Sequence, residues 1–236
     1  MKILGVDISS RSTGASLIED DKLLEYTKIN PIGSMSNSAK MYLFSVELDK
    51  ILEKWQPDYI AIEDVIQVSS VSITKILARF NGIALISAYK FNKKEPKLFI
   101  PSEWKKTIGL SGSVRKCETQ LFICKKYNLL KEDKINYYEQ KINECSEIDK
   151  DSLNSKQKDI DLLKKRMRKE KTIIEELKNQ IEELKKEVFT IKKNNKLSIS
   201  KKFDNLSMEL YIDTGINEDI ADSVGVALAY QKELIK

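Results

Sequence analysis

The sequence predicts an α/β fold in which helices pack on a mixed five-stranded sheet, interrupted late in the chain by a long helical insertion. Three observations predict it. Three short apolar runs follow one another at the start, further apolar runs then alternate with helical patterns, and a seven-residue repeat fills a highly charged later segment. Consecutive strands followed by alternating helices and strands are typical of mixed α/β sheets.

The first three strands form a predicted β-meander. Residues 3–8 are mostly apolar and include Asp7, whereas residues 13–18 and 22–29 flank a short acidic turn. Short apolar runs bounded by turn-forming residues are typical of strands. The first run is the most apolar, and we therefore expect it to be a buried central strand.

Helices and strands alternate after the meander. Apolar residues recur at intervals of three and four in the predicted helices, which are residues 35–55, 70–89, 114–130 and 219–234. The predicted strands between them are residues 59–62 and 97–100, and Pro101 ends the second.

The late insertion carries a heptad pattern. One seam position falls at Leu153, Ile160, Met167, Ile174, Ile181 and Val188, and the other at Lys156, Leu163, Glu170, Leu177, Leu184 and Ile191. Ten of these twelve residues are apolar and the segment has no Gly or Pro, which is typical of a coiled coil. We expect residues 131–204 to be a helical coiled-coil insertion in a core of residues 1–130 and 205–236. It would be a spacer or hairpin, or an arm for dimerisation or substrate contact, and its partner helix could lie in this chain or another.

Composition excludes several chemistries. The 236 residues contain no histidine, which excludes Ser-His-Asp and Cys-His catalysis and His-containing zinc fingers. Cys117, Cys124 and Cys145 form no C-x-x-C pair and are expected to be core thiols in a reducing compartment. No apolar run approaches the roughly 18 residues of a membrane helix. The sequence therefore predicts a cytoplasmic protein without a membrane partner.

Four acidic residues stand out by position. Asp7 and Glu63 each lie at the end of a predicted strand, and Asp219 and Asp222 share one face of the first turn of the last helix. Acids at a helix start are also explained by the helix dipole, but a charge such as Asp7 at the end of an apolar strand is costly. Carboxylates without histidine suit Mg²⁺ or Mn²⁺. Two such ions about 4 Å apart would activate water for phosphodiester hydrolysis.

The motifs around these acids resemble those of a known family. Residues 5–14 read GVDISSRSTG and are similar to the first motif of the RNase H-like superfamily, in the form found in RuvC-type Holliday-junction resolvases. Residues 60–65, IAIEDV, resemble its second motif, and residues 219–229, DIADSVGVALA, its last. Residues 104–116, WKKTIGLSGSVRK, fit its loop and helix start with two functional lysines.

The resemblance implies a set of site residues. Asp7, Glu63, Asp219 and Asp222 would hold two Mg²⁺ ions, with Mn²⁺ as an alternative, and Lys105 and Lys116 would contact the scissile or adjacent phosphates as catalytic residues. Ile66 takes the place where some relatives carry an aromatic wedge. The implied DNA-binding residues are Arg11, Ile66, Lys105, Lys106, Gly112, Arg115 and Lys116.

Local charge agrees with a nucleic-acid substrate. Residues 90–131 hold eleven Lys or Arg and three Glu, a net charge of +8, whereas the whole chain carries +5. Basic charge is therefore concentrated around the glycine-containing turn, where phosphate contacts would supply salt-dependent affinity.

The sequence thus predicts a Mg²⁺-dependent endonuclease that acts as a homodimer on branched DNA, most simply the four-way junction. Symmetric cutting needs two active sites, and this requirement favours the dimer. Three alternatives remain: an ATP-binding domain of the actin and sugar-kinase type, a non-catalytic scaffold, and a nuclease for other branched or hybrid nucleic acids. The sequence leaves open whether Glu218 also serves as a ligand, because it lies four residues before Asp222 on the same helix face; Asp64 and Asp213 are lesser candidates.

Overall fold

The computed structural model describes residues 1–31, 33–66, 70–169 and 174–235. The strands are β1 (Lys2–Asp7), β2 (Thr13–Glu19), β3 (Lys22–Ile29), β4 (Tyr59–Glu63) and β5 (Lys97–Phe99). The helices are α1 (Asn37–Trp55), α2 (Val71–Asn92), α3 (Pro101–Ile108), α4 (Lys116–Lys126), α5 (Glu132–Lys169), α6 (Ile174–Thr214) and α7 (Glu218–Leu234). By its internal contacts the chain divides into a core unit, Met1–Leu130 with Leu210–Lys236, and a helical unit, Lys131–Glu209.

The core unit is built on one mixed sheet with the strand order β3-β2-β1-β4-β5. Strand β1 lies at its centre, antiparallel to β2 and parallel to β4. The outer pairs are β2 with β3, antiparallel, and β4 with β5, parallel. The predicted five-stranded mixed sheet flanked by helices is confirmed, including the meander and the central first strand.

Both faces of the sheet are buried, and successive residues of β1 alternate between them. Leu4 and Val6 pack in a layer with residues of α1 and α2, whereas Ile3 packs in the opposite layer, which is built around α3, α4 and α7. Gly5 and Asp7 lie two and four residues after Ile3, on the same face of the sheet. The carboxylate of Asp7 therefore faces the layer that contains α7.

Helix α7 approaches this face closely because two strand residues have no side chain. A Cβ on Gly5 would collide with the carbonyl oxygen of Ser223, and one on Gly14 would collide with the carbonyl oxygen of Asp219. Gly14 is the direct β2 partner of Asp7. The two glycines thus bring the start of α7 against the end of β1.

Helix α3 was not predicted. Pro101 was interpreted as the end of a strand, but it is the first residue of α3. Proline is favoured there because its fixed φ suits the helix and the N–H that it lacks would have no partner. Gly109, with a φ of 97°, ends the helix in the left-handed region. Helix α4 is shorter than predicted, since it begins at Lys116 and ends at Lys126.

In the helical unit, the start of α5 contacts the end of α6. The Tyr137 hydroxyl donates to Glu209 Oε2 over 3.5 Å, and Tyr138, Ile142 and Phe203 are buried. The two helices are therefore antiparallel neighbours within one chain at this end, whereas the pairing of the heptad positions stays a prediction.

The heptad seam is divided between these two helices, and the predicted coiled coil is not confirmed. Ile160 and Ile181 are buried, and Leu184 and Val188 are half-buried. Glu170 lies outside the described residues, as do the side chains of Leu153, Lys156, Leu163, Met167, Ile174, Leu177 and Ile191.

Helix α2 is more apolar than the sequence analysis allowed. By length and composition alone it could span a membrane, and it is the one such helix in the described part of the chain. Core helices pass the same test, and Phe80, Ala84 and Ala88 of α2 pack in the core. One such helix is weak evidence for a membrane span.

Candidate active site

The end of β1 and the end of β4 bring the first two acids together. Val6 pairs with Ile62 in the parallel ladder, so Asp7 and Glu63 are the next residues on adjacent strands. Glu63 lies two residues after Ala61, on the same face of the sheet, and Ala61 packs in the layer that contains α7. Both carboxylates therefore point to the same side of the sheet at the same edge.

Helix α7 supplies the other two acids from its first turn and a half. Asn217 caps the helix by accepting the Ile220 N–H over 3.0 Å, and its amide donates to Asp219 Oδ2 over 2.9 Å. The Ser12 hydroxyl also donates to Asp219 Oδ2, over 2.6 Å. These bonds hold Asp219 beside the loop that follows β1, and the helix dipole favours its negative charge.

The carboxylates repel one another strongly enough to change their ionisation. Burial raises the pKa of Asp7 well above its usual range, and the nearby charges of Glu63, Asp222 and Asp219 raise it further. Burial and the charge of Glu63 raise the pKa of Asp222 to about 7. The structure thus brings the four predicted acids into one electrostatic cluster at the sheet edge.

Glu63 is held by a hydrogen bond from a buried tryptophan. Trp104 Nε1 donates to Glu63 Oε2 over 2.7 Å. Burial raises the pKa of Glu63, while the Trp104 hydrogen bond and the charges of Lys105 and Lys116 oppose that rise. The sequence analysis gave Trp104 no place in the site, and its contact with a site acid was missed; its position immediately before Lys105 was the available signal.

The two predicted lysines approach the cluster from α3 and α4. Lys105 lies in the last turn of α3, and its charge lowers the pKa of both Glu63 and Asp222. Lys116 begins α4, and its Nζ donates to Glu218 Oε2 over 2.6 Å. Burial lowers the pKa of Lys116, but the hydrogen bond and charge of Glu218, with the charges of Asp222 and Asp219, outweigh it and leave it raised.

The remaining predicted DNA contacts lie on exposed surface or in loops. Arg11 is exposed in the β1–β2 loop, and Ile66 is 49% exposed just after β4. Lys106 is exposed at the end of α3, and its side chain lies next to Gly112. Arg115 precedes α4, where its backbone N–H donates to Glu118 Oε2 over 2.8 Å.

The carboxylates do not form a ready-made coordination shell. Within the described ranges, no three Asp, Glu or Cys side chains are arranged so that they could hold a metal ion as they stand. Glu63 and Asp219 each direct an oxygen at a protein donor. The donor set nevertheless fits a hard divalent cation, because it is entirely carboxylate and because Asp222 Oδ1 is buried with no hydrogen-bond partner.

The strand order and the flanking helices define the class of the protein as a mixed α/β fold of the RNase H-like type, with four acids at one edge of its sheet. A family model described as crossover junction endodeoxyribonuclease RuvC matches residues 3–138, more than half of the chain. The chain belongs to the RuvC family, and the resemblance predicted from its motifs is confirmed.

Individual relatives and a solved structure are similar to about half of this chain. The RuvC protein of Alkaliphilus oremlandii is 28% identical over 135 residues, which cover 56% of this chain and 82% of that protein. The RuvC protein of Orientia tsutsugamushi is 29% identical over 129 residues, or 52% of this chain and 79% of that protein. The solved structure of Thermus thermophilus RuvC with a Holliday junction substrate is 16% identical and covers 56% of this chain and 81% of that one, with a TM-score of 0.48.

The family match and the structure cover different parts of the site. Residues 3–138 include Asp7, Glu63 and both lysines, but they end within the first residues of the helical unit and do not reach Asp219 and Asp222. The position of the last two acids beside Asp7 comes from the packing of α7 on the sheet.

Proposed function

We propose that this protein is a divalent-metal-dependent endonuclease that resolves four-way DNA junctions. One observation carries the proposal: Asp7, Glu63 and Asp222 come from three separate parts of the chain and form one electrostatic cluster at an edge of the sheet. Burial first, and then the charges of Glu63 and Asp222, raise the pKa of Asp7, while Lys105 and Lys116 lower the pKa of both Glu63 and Asp222. Membership of the RuvC family supports the same chemistry and disfavours the ATP-binding alternative.

The four acids are the proposed ligands of two Mg²⁺ ions, and Mn²⁺ would fit the same oxygens. When bound, the ions would activate the attacking water and stabilise the leaving oxygen. Without a cation, burial and like charge raise the pKa of Asp7 and Asp222, so that the protonated acids are favoured. A bound cation would replace these protons, and for Asp222, whose pKa is about 7, the exchange falls near neutral pH.

The lysines act on the substrate phosphate. Lys105 and Lys116 already interact electrostatically with Glu63 and Asp222. A phosphodiester that binds at the carboxylate cluster would therefore also lie near two ammonium groups. Their charge stabilises the additional negative charge of the transition state. Lys116 is paired with Glu218 in this structure, and we assign Glu218 as the partner of that lysine rather than as a metal ligand.

DNA binding is proposed for the surface around this site. Lys106, Gly112 and Arg115 lie along the α3–α4 connection, and Arg11 and Ile66 follow β1 and β4 on the same edge of the sheet. The basic residues supply sequence-independent phosphate contacts, and the exposed Ile66 supplies an apolar side chain that can wedge between bases.

The active form is proposed to be a homodimer, because a four-way junction is cut symmetrically by two sites. Helix α2 offers a surface for it. Val71, Ala78, Gly82, Ile86 and Tyr89 follow one another at helical spacing, and Val71, Ile86 and Tyr89 are 61%, 57% and 47% exposed. An exposed apolar stripe of this kind favours an interface with a second copy.

The dimer has a direct test in light scattering after size exclusion. Ile86→Glu should convert a dimer into a monomer, whereas Ile212→Glu, at another exposed isoleucine, should not. A monomeric wild-type protein, or a dimer that survives Ile86→Glu, would contradict the assignment.

The core of residues 1–130 and 205–236 is proposed as the nuclease and residues 131–204 as an accessory helical insertion. The free, buried cysteines Cys117, Cys124 and Cys145 support a reducing, cytoplasmic location.

The decisive experiment compares a synthetic four-way junction with a linear duplex of the same sequence, each with Mg²⁺ and with EDTA. We expect paired nicks at symmetric positions in the junction, only with Mg²⁺. Equal cutting of the duplex would favour a nuclease of broader substrate range. The absence of any cleavage would overturn the proposal.

A further inference from the structure

Trp104 is a fully buried tryptophan with a polar partner in the active site. Its side chain is 0% exposed, and its one polar group, the indole N–H, donates to Glu63 Oε2 over 2.7 Å. The two residues are 41 positions apart and come from α3 and β4. Because the indole nitrogen is a donor only, this bond takes one oxygen of the carboxylate and limits rotation of the other.

The same indole ring packs against α7. A Cβ on Gly225 would collide with ring atom Cζ3 and would lie 2.8 Å from Cε3. Gly225 lies three residues after Asp222, so it is on the same face of α7, one turn further along. The ring therefore sets how closely the helix that carries Asp222 approaches the strand that carries Glu63.

A third contact joins the ring to Lys105, one of the two lysines that are proposed to contact the phosphate. Lys105 Nζ lies over the indole, 5.3 Å from the ring centroid. A cation over an indole face is attracted by its π system. Trp104 thus touches three parts of the proposed machinery, and each contact uses a different part of the side chain.

We propose that Trp104 is a positioning residue that fixes the orientation of Glu63 and the distance between Glu63 and Asp222 for cation binding. The inference deepens the proposed function and rests on it. Groups that hydrogen-bond to ligand carboxylates orient them, and losing such a group weakens metal binding or activity by about 10- to 100-fold.

A purely structural role could be filled by an aromatic ring without an N–H. Phe99 fills a buried position in the same layer as Trp104, and Phe44 and Phe80 fill buried positions in the opposite layer, all with rings that have no polar atom. Trp104→Phe keeps an aromatic ring against Gly225 and removes the donor to Glu63. The variant therefore separates packing from positioning.

The matched control is Trp55→Phe, which makes the same substitution at the other tryptophan. Trp55 is 6% exposed and lies in the opposite layer, on α1. Mg²⁺ affinity is measured for both variants by calorimetry without DNA and by the Mg²⁺ midpoint of junction cleavage. Junction affinity in EDTA and the unfolding temperature are measured in parallel.

We expect Trp104→Phe to weaken Mg²⁺ binding by about 10-fold or more, while Trp55→Phe stays within about twofold of the wild type and junction affinity in EDTA is unchanged in both. Equal Mg²⁺ affinities for the two variants would overturn the inference. If the wild type binds Mg²⁺ but cuts no junction, the proposed function fails while the calorimetric comparison still decides the role of Trp104.

A second measurement decides the matter if Trp104→Phe does not fold. In the Trp55→Phe protein, Trp104 is the single tryptophan, so its fluorescence reports on its own surroundings. A change in emission on adding Mg²⁺ that is lost when Glu63→Gln is introduced supports the inference. Emission that Mg²⁺ leaves unchanged overturns it.

Discussion

Two lysine–glutamate pairs show how differently the core unit and the helical unit use the same residues. Lys116 and Glu218 are 102 positions apart and join over 2.6 Å beside the carboxylate cluster. Lys141 and Glu144 are three positions apart on α5 and join over 2.9 Å. The first pair depends on the fold of the whole core, whereas the second needs only one helical turn.

The surroundings of the two pairs differ as much as their sequence separation. In the helical unit, the hydrogen bond between the partners raises the pKa of Lys141 and lowers that of Glu144, each stabilising the other's charge at an exposed surface. In the core unit, burial and like charges raise the pKa of Asp7 and Asp222. Lys141 and Glu144 therefore balance each other's charge locally. In the core, negative charge is concentrated, and the free-energy cost of burying it would be relieved by a bound cation.

The largest expected effect is the loss of cleavage in Asp7→Asn. The substitution removes a central acid of the cluster but keeps its shape, so cleavage of the four-way junction in Mg²⁺ should fall by at least about 100-fold, more than the loss of a supporting contact. Junction binding in a gel-shift assay should be retained. Asp20→Asn, in the exposed β2–β3 turn, is the control. Robust cutting by Asp7→Asn would contradict the mechanism.

The next effect concerns pH and stability without metal. The folded pKa of Asp222 is about 7 and its ordinary value is 3.8, so between these values the folded protein holds a proton that the unfolded chain releases. Stability is therefore lost as the pH rises from about 4 to 7, by roughly 2–4 kcal/mol for a shift of this size.

Asp222→Asn imitates the protonated acid and should remove much of this slope. In EDTA, urea unfolding should be most similar for the two proteins at about pH 4, and the variant should become progressively more stable than the wild type as the pH rises to about 8. Added Mg²⁺ should restore the wild type and leave the variant largely unchanged. If the free energy of unfolding changed with pH in the same way for both proteins, the raised pKa of Asp222 would be contradicted.

Glu218→Gln should have a smaller effect, because Glu218 is assigned to Lys116 and not to the metal. Cleavage should change by less than about tenfold, and junction affinity at low salt should rise by about two- to fivefold, since Lys116 loses a competitor for phosphate. Single-turnover cleavage and a salt titration of junction binding measure both. A loss of cleavage as deep as that of Asp222→Asn would instead make Glu218 a ligand.

Glu144→Gln is expected to have the smallest effect. The pair with Lys141 is exposed and local, so the unfolding temperature should move by less than about 1 °C and cleavage should be unchanged. Thermal unfolding and the same junction assay provide the measurement. A clear loss of cleavage would show that this face of α5 takes part in substrate binding.

The sequence was sufficient for the sheet but not for all the helices. The strands were predictable because each is a short apolar run with a clear end, and Asp7 marked the edge of the sheet. Helix α3 was missed because Pro101 is compatible with both a strand end and a helix start, and only the packing of Trp104 against α7 distinguishes them. The heptad seam was visible, but periodicity does not tell one long helix from two antiparallel ones.

The candidate site, like the fold, was predictable from the sequence only in part. Motif spacing identified the four acids and the two lysines, although their roles remain proposals. The contacts that hold them were not visible, because the Ser12–Asp219, Trp104–Glu63 and Lys116–Glu218 bonds join residues that are 207, 41 and 102 positions apart.

Local apolar patterns and short motifs were enough to predict the α/β class, the strand order of the meander, the acids at the strand ends and the RuvC family. The packing of the folded chain was needed to show which carboxylates interact electrostatically, which donors bind Glu63 and Asp219, and which residue pairs with Lys116. Those properties depend on glycines that admit α7 to the sheet and on burial, which strengthens repulsion between charges that water would otherwise screen.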